Sequence, residues 1–237
     1  PVALQAKQLG ESLEEAGRHL RYQRLANLAK SAGIGFIFTA HHLDDNVESV
    51  LMKWVRGSLS GLTPMRRFRE RDGACLVRPL LATPKSHILA VLAQKKMPYC
   101  MDSSNASAAF LRNRIRSALI PAIERLNPQY RRAVLGLADY HADLKRFVDD
   151  TLKATLAEAK STADGWEIPR GVVVALDPFL QGELIRRLII LAYGADFRVS
   201  AIHIKAILEQ LQKSGCKRVN LPGNRWATIT RAALLLN

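Results

Sequence analysis

Cysteine is the scarcest reactive residue in this chain: Cys75, Cys100 and Cys216 are three in 237 residues, and no two form a Cys-x-x-Cys pair. That spacing argues against a zinc ribbon, a cysteine-ligated iron–sulfur cluster and a disulfide framework. It suits a cytoplasmic, reducing location. Long apolar runs are missing as well. With no stretch of about 18 uncharged apolar residues, no membrane span is expected. The opening residues, Pro-Val-Ala-Leu-Gln-Ala-Lys, contain no signal-peptide apolar core. They also lack an initiator Met, so the chain is expected to be a fragment or a processed product. Neither repeats nor low-complexity tracts occur. Acids are in short supply: 21 Asp plus Glu stand against 35 Lys plus Arg, a formal charge of +14. Such an excess favours a polyanionic partner, because each neutralised phosphate releases counterions. It does not separate RNA from DNA. The 48% hydrophobic content suffices for one large core or two smaller domains.

The few acids are unevenly spread. His41-His42-Leu43-Asp44-Asp45-Asn46-Val47-Glu48 gathers two imidazoles and three carboxylates. An apolar run from Ile34 to Thr39, which reads as a buried strand, precedes it, and a helical segment from Val47 to Val55 follows. In open α/β sheets, ligands bind beyond the carboxyl ends of the strands, which is where this cluster would lie. On a helix, Glu48 can share a face with Asp44 or with Asp45. Carboxylates held that close repel one another unless Mg²⁺, an ammonium or an arginine joins them. Helix capping is the plainer explanation, but it accounts for one acid and leaves the third and the paired histidines over.

The wider pattern reads as α/β. Residues 11–31 have helical spacing, Ala32-Gly33 ends that helix, and the strand and acidic cluster follow. This order fits a doubly wound unit with parallel strands. Residues 58–73 read as a loop carrying Arg66, Arg67, Arg69 and Arg71, and residues 76–81 as a short strand or extended segment. Thr83 reads as the N-cap of a helix to about Lys96, with Pro84 in its first position. Long helices take over from Leu111, with Pro121 bending or splitting the first and the second running to about Lys160. Residues 161–165 read as a linker, and 166–168 and 172–174 as strands. Asp177-Pro178 and Ser200 open two further helices, and a hairpin turning at Pro222-Gly223-Asn224 closes the chain. The organisation expected is an α/β catalytic part over 1–110, a helical connector over 111–160 and a smaller helical α+β module over 161–237.

A second constellation lies at Asp102-Ser103-Ser104-Asn105 and Arg112-Asn113-Arg114-Ile115-Arg116. Arg112 and Arg116 are four residues apart, so a helix presents both guanidinium forks to one side, matched to phosphate oxygens. Pairing with Asp102 or with the Asp44, Asp45 and Glu48 group is the alternative, and both can hold at once.

These segments, in this order, closely resemble the tRNA(Ile)-lysidine synthases of the PP-loop ATP pyrophosphatase superfamily. The matching pieces are His-His-x-Asp-Asp-x-x-Glu at 41–48, Arg56-Gly57-Ser58, Gly61-Leu62 with Met65, Arg78-Pro79-Leu80-Leu81, Asp102-x-Ser-Asn105 and Arg112-Asn-x-x-Arg116. Arg18-x-x-Arg21-Tyr22 adds to them. The match is dense over about 11–135 and weak over 166–237. The resemblance implies an α/β PP-loop fold, and a reaction in which ATP adenylates the wobble cytidine of an isoleucine tRNA. The amine of free L-lysine then displaces AMP. It implies ATP and Mg²⁺ as cofactors and the tRNA anticodon loop as partner, with a homodimer left open.

On that basis Asp45 and Glu48, then Asp44, are expected to act on the lysine amine or the metal, with Asp45 the candidate Mg²⁺ ligand. His42 is favoured over His41 for contacting nucleotide or orienting an acid. Arg56, Asp102, Asn105, Arg112, Asn113 and Arg116 are expected at nucleotide or substrate, and Arg131 and Arg132 on tRNA phosphate. Two departures stand out. The family's Ser-Gly-Gly-x-Asp-Ser phosphate loop is not in the chain, which is therefore expected not to turn over by itself. The glycine-rich stretch after Arg56 is one residue shorter than the family pattern, with Pro64 before Met65. Rival readings are a tRNA thiolase of the same superfamily, which commonly needs paired cysteines, and a tRNA-binding module without catalysis.

Overall fold

The computed structural model describes residues 2–9, 13–58, 61–71, 73–100, 111–163, 165–194, 197, 199–213 and 215–237. They divide into two compact units, Pro1–Ala142 and Asp143–Asn237. No described helix is long and apolar enough to cross a membrane.

In the first unit, α1 (Val2–Leu9) and α2 (Leu13–Ser31) lead to β1 (Phe36–Phe38) and α3 (Leu43–Val55). Then come β2 (Phe68–Arg71), β3 (Ala74–Val77) and α4 (Lys85–Gln94). The sheet order is β1-β3-β2. β1 and β3 run parallel, Phe36 opposite Cys75 and Phe38 opposite Val77, as a doubly wound unit requires. β2 pairs antiparallel to β3, so the stretch read as a loop over 58–73 contains a strand and closes a hairpin. β1 is not buried: Phe36 and Phe38 are 59% and 69% exposed. Alternation turns both toward one face, and an apolar run in sequence carries no information about what covers that face.

α3 ends in the expected way. Gly57 takes φ +69, and the Ser58 N–H reaches back to the Lys53 carbonyl, a Schellman closure that needs a left-handed residue. α4 starts differently from expectation. Pro84, not Thr83, is its N-cap, with no side-chain cap of its own. The Asp44 carboxylate caps it from α3, accepting the Lys85 N–H at 2.8 Å. A tertiary acceptor has replaced the local one.

Beyond 110, α5 (Leu111–Arg114) passes through a π-helical turn (Ile115–Leu119) into α6 (Ile120–Leu126). Pro121 lacks the N–H that would bond back into the preceding turn, and the widened turn absorbs the mismatch. α7 (Tyr130–Ala157) follows. In the first unit Val47, Leu51, Ile115 and Tyr130 form one small core, and Val50, Leu62 and Ala138 another.

The second unit holds an antiparallel sheet in the order β4-β5-β8-β7-β6. Its strands are β4 (Lys160–Thr162), β5 (Gly165–Pro169), β6 (Lys217–Leu221), β7 (Arg225–Ile229) and β8 (Ala233–Leu236). Three helices accompany them, α8 (Arg170–Val174), α9 (Pro178–Tyr193) and α10 (Ala201–Leu211). The 161–165 stretch read as a linker belongs to the β4–β5 hairpin, and the apolar triplet 172–174 read as a strand is helical. A three-residue apolar run cannot distinguish the two periods. Asp177 caps α9 through the Phe179 N–H and Ser200 caps α10, as read. Alternate residues of β7 and β8 (Ala227 and Ile229, Leu234 and Leu236) meet Leu184, Ile185, Leu188, Ile189 and Ile207 in the core.

One glycine is fixed by space and backbone together. Gly165 has φ +137, and a Cβ there would lie 1.9 Å from the Leu236 carbonyl oxygen. Gly165→Ala should destabilise the protein by about 2 kcal/mol or more in urea titration, from strain plus the forced shift of β8.

Candidate functional site

α3 starts at the carboxyl end of β1, and its first turn sets the site. His42 is the N-cap: its Nδ1 accepts the Asp45 N–H at 3.3 Å, and Asp45 Oδ2 accepts the His42 N–H at 3.0 Å. Capping of α3 therefore explains one oxygen of one acid, and capping of α4 one oxygen of Asp44. The remaining carboxylate oxygens of the motif point elsewhere.

Arg112 donates from Nε to Glu48 Oε2 at 2.7 Å and from Nη2 to Asp45 Oδ1 at 2.6 Å. Arg116, one turn on, donates to Glu48 Oε1 at 2.7 Å and to Oε2 at 2.9 Å. The two guanidiniums thus grip α3 side by side. Glu48 lies beneath them with a side chain 3% exposed. A buried carboxylate is tolerable only when its charge and lone pairs are met in this way. Asp44 turns the other way. It accepts Arg131 Nε at 2.8 Å besides the Lys85 N–H. Burial pushes its carboxyl up, but the Lys85 N–H and the Arg131 guanidinium outweigh this and hold it below the ordinary aspartate value.

A cavity of about 430 Å³ opens beside this layer, lined by Arg18, Arg21, Tyr22 and Leu25 of α2, by Thr39, Ala40 and His41, and by Asp45 and Arg112. Three guanidiniums and one carboxylate thus face a common space. His41, not His42, lines it. The His41 Nδ1 lies 2.9 Å from the Thr39 hydroxyl. Burial first, then the charge of Arg78, lowers the His41 pKa from 6.5 to about 4, despite the opposing pull of Asp45. Its ring is neutral at physiological pH.

A stability signature follows. Between pH 6.5 and about 4 the unfolded chain takes up a proton at His41 that the folded chain resists. The contribution is complete above pH 6.5 and is lost as the pH falls toward 4. His41→Gln should flatten the pH dependence of the urea midpoint in that window while leaving the acid limb below about pH 4.

The other expected site residues are distributed as follows. Arg56 is the exposed C-cap of α3, outside the cavity lining. Asn113 sits on α5, its carbonyl accepting the Ser117 hydroxyl. Asp102 and Asn105 lie outside the described residues. Arg131, expected on tRNA phosphate, pairs instead with Asp44 and Glu124 and lies 4.6 Å over the Tyr130 ring. Its neighbour Arg132 is exposed. Of the acids expected near Mg²⁺, Asp45 lines the cavity, and no described group of three His, Cys, Asp or Glu could hold a metal ion by itself.

Arg18, Arg21 and His41 were not assigned to the site from sequence. Their signal was present, since Arg18, Arg21 and Tyr22 fall at i, i+3 and i+4, one face of α2.

A family model described as a PP-loop domain matches residues 2–123. A tRNA(Ile)-lysidine synthase of Geobacter sulfurreducens is 36% identical over 232 residues, covering 92% of this chain and 48% of that protein. That of Enterococcus faecalis is 28% identical over 214 residues, covering 86% and 46%. That of Bradyrhizobium diazoefficiens is 46% identical over 112 residues, covering 47% and 31%. The chain spans about half the length, or less, of these curated relatives. Among solved structures, a U34-tRNA thiolase from Methanococcus maripaludis aligns at 17% identity and TM-score 0.43, over 54% of this chain and 42% of that one.

Proposed function

Because the chain belongs to the PP-loop domain family, we propose that it is part of a tRNA(Ile)-lysidine synthase, which joins free lysine to the wobble cytidine of isoleucine tRNA at the expense of ATP. In this reading residues 1–110 supply the catalytic α/β part, 111–160 connect, and 161–237 contact tRNA. The observation that carries it is the cavity where Asp45 faces Arg18, Arg21 and Arg112. A ligand fitting that charge pattern has an anionic end and a separate cationic end, and free lysine has both.

The chemistry has two displacements. The cytosine O2 attacks the α-phosphorus of ATP and pyrophosphate leaves. Negative charge builds on phosphate oxygens there, and preorganised guanidiniums stabilise it without reorganising. In this reading Arg112, which lines the cavity, and Arg116 one turn on take that task, both held by Glu48. The lysine ε-amine then attacks C2 of the adenylated base, the C2–O bond breaks, and AMP departs with the oxygen. Before attack the ε-ammonium must lose a proton. Asp45 lines the cavity and is held at one oxygen by Arg112 and at the other by the His42 N–H, so it receives the ammonium and draws off its proton. Glu48 is a positioning residue, and Asp44 joins α3 to α4 and α7. Arg132 remains available to phosphate.

The test uses the full-length gene product with isoleucine tRNA and ATP. AMP release that requires lysine, with lysidine found in the digested tRNA, supports the reading. AMP that requires a sulfur donor would identify a thiolase, and salt-sensitive tRNA binding without AMP would identify a module without catalysis.

A further inference from the structure

Residues 62–67 have no regular secondary structure, yet side chains from α3 and from Arg78, the residue after β3, hold their backbone. The Lys53 ammonium donates to the Thr63 carbonyl at 2.7 Å. Asn46 Oδ1 accepts the Met65 N–H at 2.7 Å. Arg78 donates from Nη1 to the Arg66 carbonyl at 2.7 Å, and its backbone N–H bonds the Arg67 carbonyl at 2.9 Å. Asn46 and Arg78 are 6% and 3% exposed. Arg78 Nε has no hydrogen-bond partner among the described residues. Burying a guanidinium to hold a loop carbonyl is costly. A connection that served only to join α3 to β2 would not need it.

Leu62 stays buried against Val50 and Ala138, and the end of the held segment turns outward. Arg66 and Arg67 are exposed, Phe68 is 59% exposed, and the Arg67 guanidinium lies 5.8 Å from the Phe68 ring centre. From Leu62 to Arg69 there are three arginines and no acid. Basic residues on an edge strand also discourage unwanted strand pairing. That accounts for Arg69 on β2 but not for Arg66 and Arg67, which precede the strand. Burial first, then the charges of Arg18 and Arg69, lowers the Lys53 pKa, so the ammonium that holds Thr63 feels both a cavity-lining arginine and an arginine of β2.

We infer that the clamped stretch from Thr63 to Phe68 is a docking rail for single-stranded RNA, with Arg66 and Arg67 on backbone phosphates and Phe68 offering its ring to a base. Resting on the lysidine synthase reading, the occupant is the tRNA strand whose cytidine enters the cavity. Exposed guanidiniums on a pre-fixed backbone bind phosphate with little ordering cost, and an aromatic ring stacks on any base.

The test measures binding without turnover. Full-length protein is titrated with isoleucine tRNA by fluorescence anisotropy over a range of salt, with melting temperatures recorded for each variant. Arg66→Ala with Arg67→Ala should raise Kd about tenfold and make the slope of log K against log salt shallower by about 1 to 2. Phe68→Ala should weaken binding several-fold with the slope unchanged. Arg66→Lys with Arg67→Lys, keeping the charge, should restore the slope. The KM for tRNA should rise in the alanine pair while that for lysine holds. Parental Kd and slope in a normally melting alanine pair would overturn the rail, as would lysine replacements that leave the slope shallow. Because binding is read directly, a parent protein that makes no lysidine would sink the enzymatic reading alone.

Discussion

Asp45→Asn in the full-length enzyme should lower lysidine formation by about a thousandfold, with the melting temperature within a few degrees of the parent. The asymmetry comes from what the substitution leaves in place. Asparagine keeps an oxygen that can accept the His42 N–H at the start of α3, so the cap survives. What disappears is the charge that Arg112 now meets at 2.6 Å and that the cavity offers to a cation. An amide cannot take a proton from an ammonium, so the lysine amine would arrive protonated and without a lone pair. Single-turnover assays at saturating lysine, with lysidine quantified by mass spectrometry, test this. Near-parental rates would assign the proton to another group.

Glu48→Gln should fail for a different reason, losing stability and activity together. Glu48 is 2% exposed and accepts N–H groups from both Arg112 and Arg116. Removing one member of a buried ion pair strands the others. With the two guanidiniums about a third exposed, the cost should be about 2–3 kcal/mol. The freed arginines should then lose their fixed direction, and ligation should fall to background while tRNA affinity stays within a few-fold. Urea denaturation beside the same ligation assay separates the two variants. A Glu48→Gln protein as stable as its parent would mean that Arg112 and Arg116 are held by something other than this carboxylate.

Those contrasting expectations show where sequence reading stopped. The acidic motif was legible because three carboxylates in five positions need cations, and the arginine pair because residues four apart share a helix face. What the spacing could not supply was the division of labour. Asp44, Asp45 and Glu48 look alike in sequence. In space one caps α4 from a distance, one borders a cavity and one lies beneath two arginines. Arg131 has the same character: its place beside Arg132, in a stretch with six arginines between residues 112 and 132, pointed outward to phosphate, while the fold turns it back onto Asp44. Arg78 and Lys53 gave no sequence sign of serving a loop, because their acceptors are carbonyls, which every residue carries.

Local chemistry was enough for the caps at Asp177 and Ser200, the glycine stop of α3, the break at Pro121 and the β6–β7 hairpin, though not for β8, which follows it and reaches back to β5, since each of the former is decided within a few residues of itself. It was also enough to bring acids and arginines into one functional hypothesis. Tertiary structure alone decided that β1 shows two phenylalanines to solvent, that residues 172–174 are helical, that Asp44 bridges α3 to α4 and α7 and that His41 rather than His42 reaches the cavity. The reason is that burial and ion pairing are properties of neighbours far apart in the chain. A carboxylate's role depends on which donor reaches it first, and that is fixed only when the helices have packed.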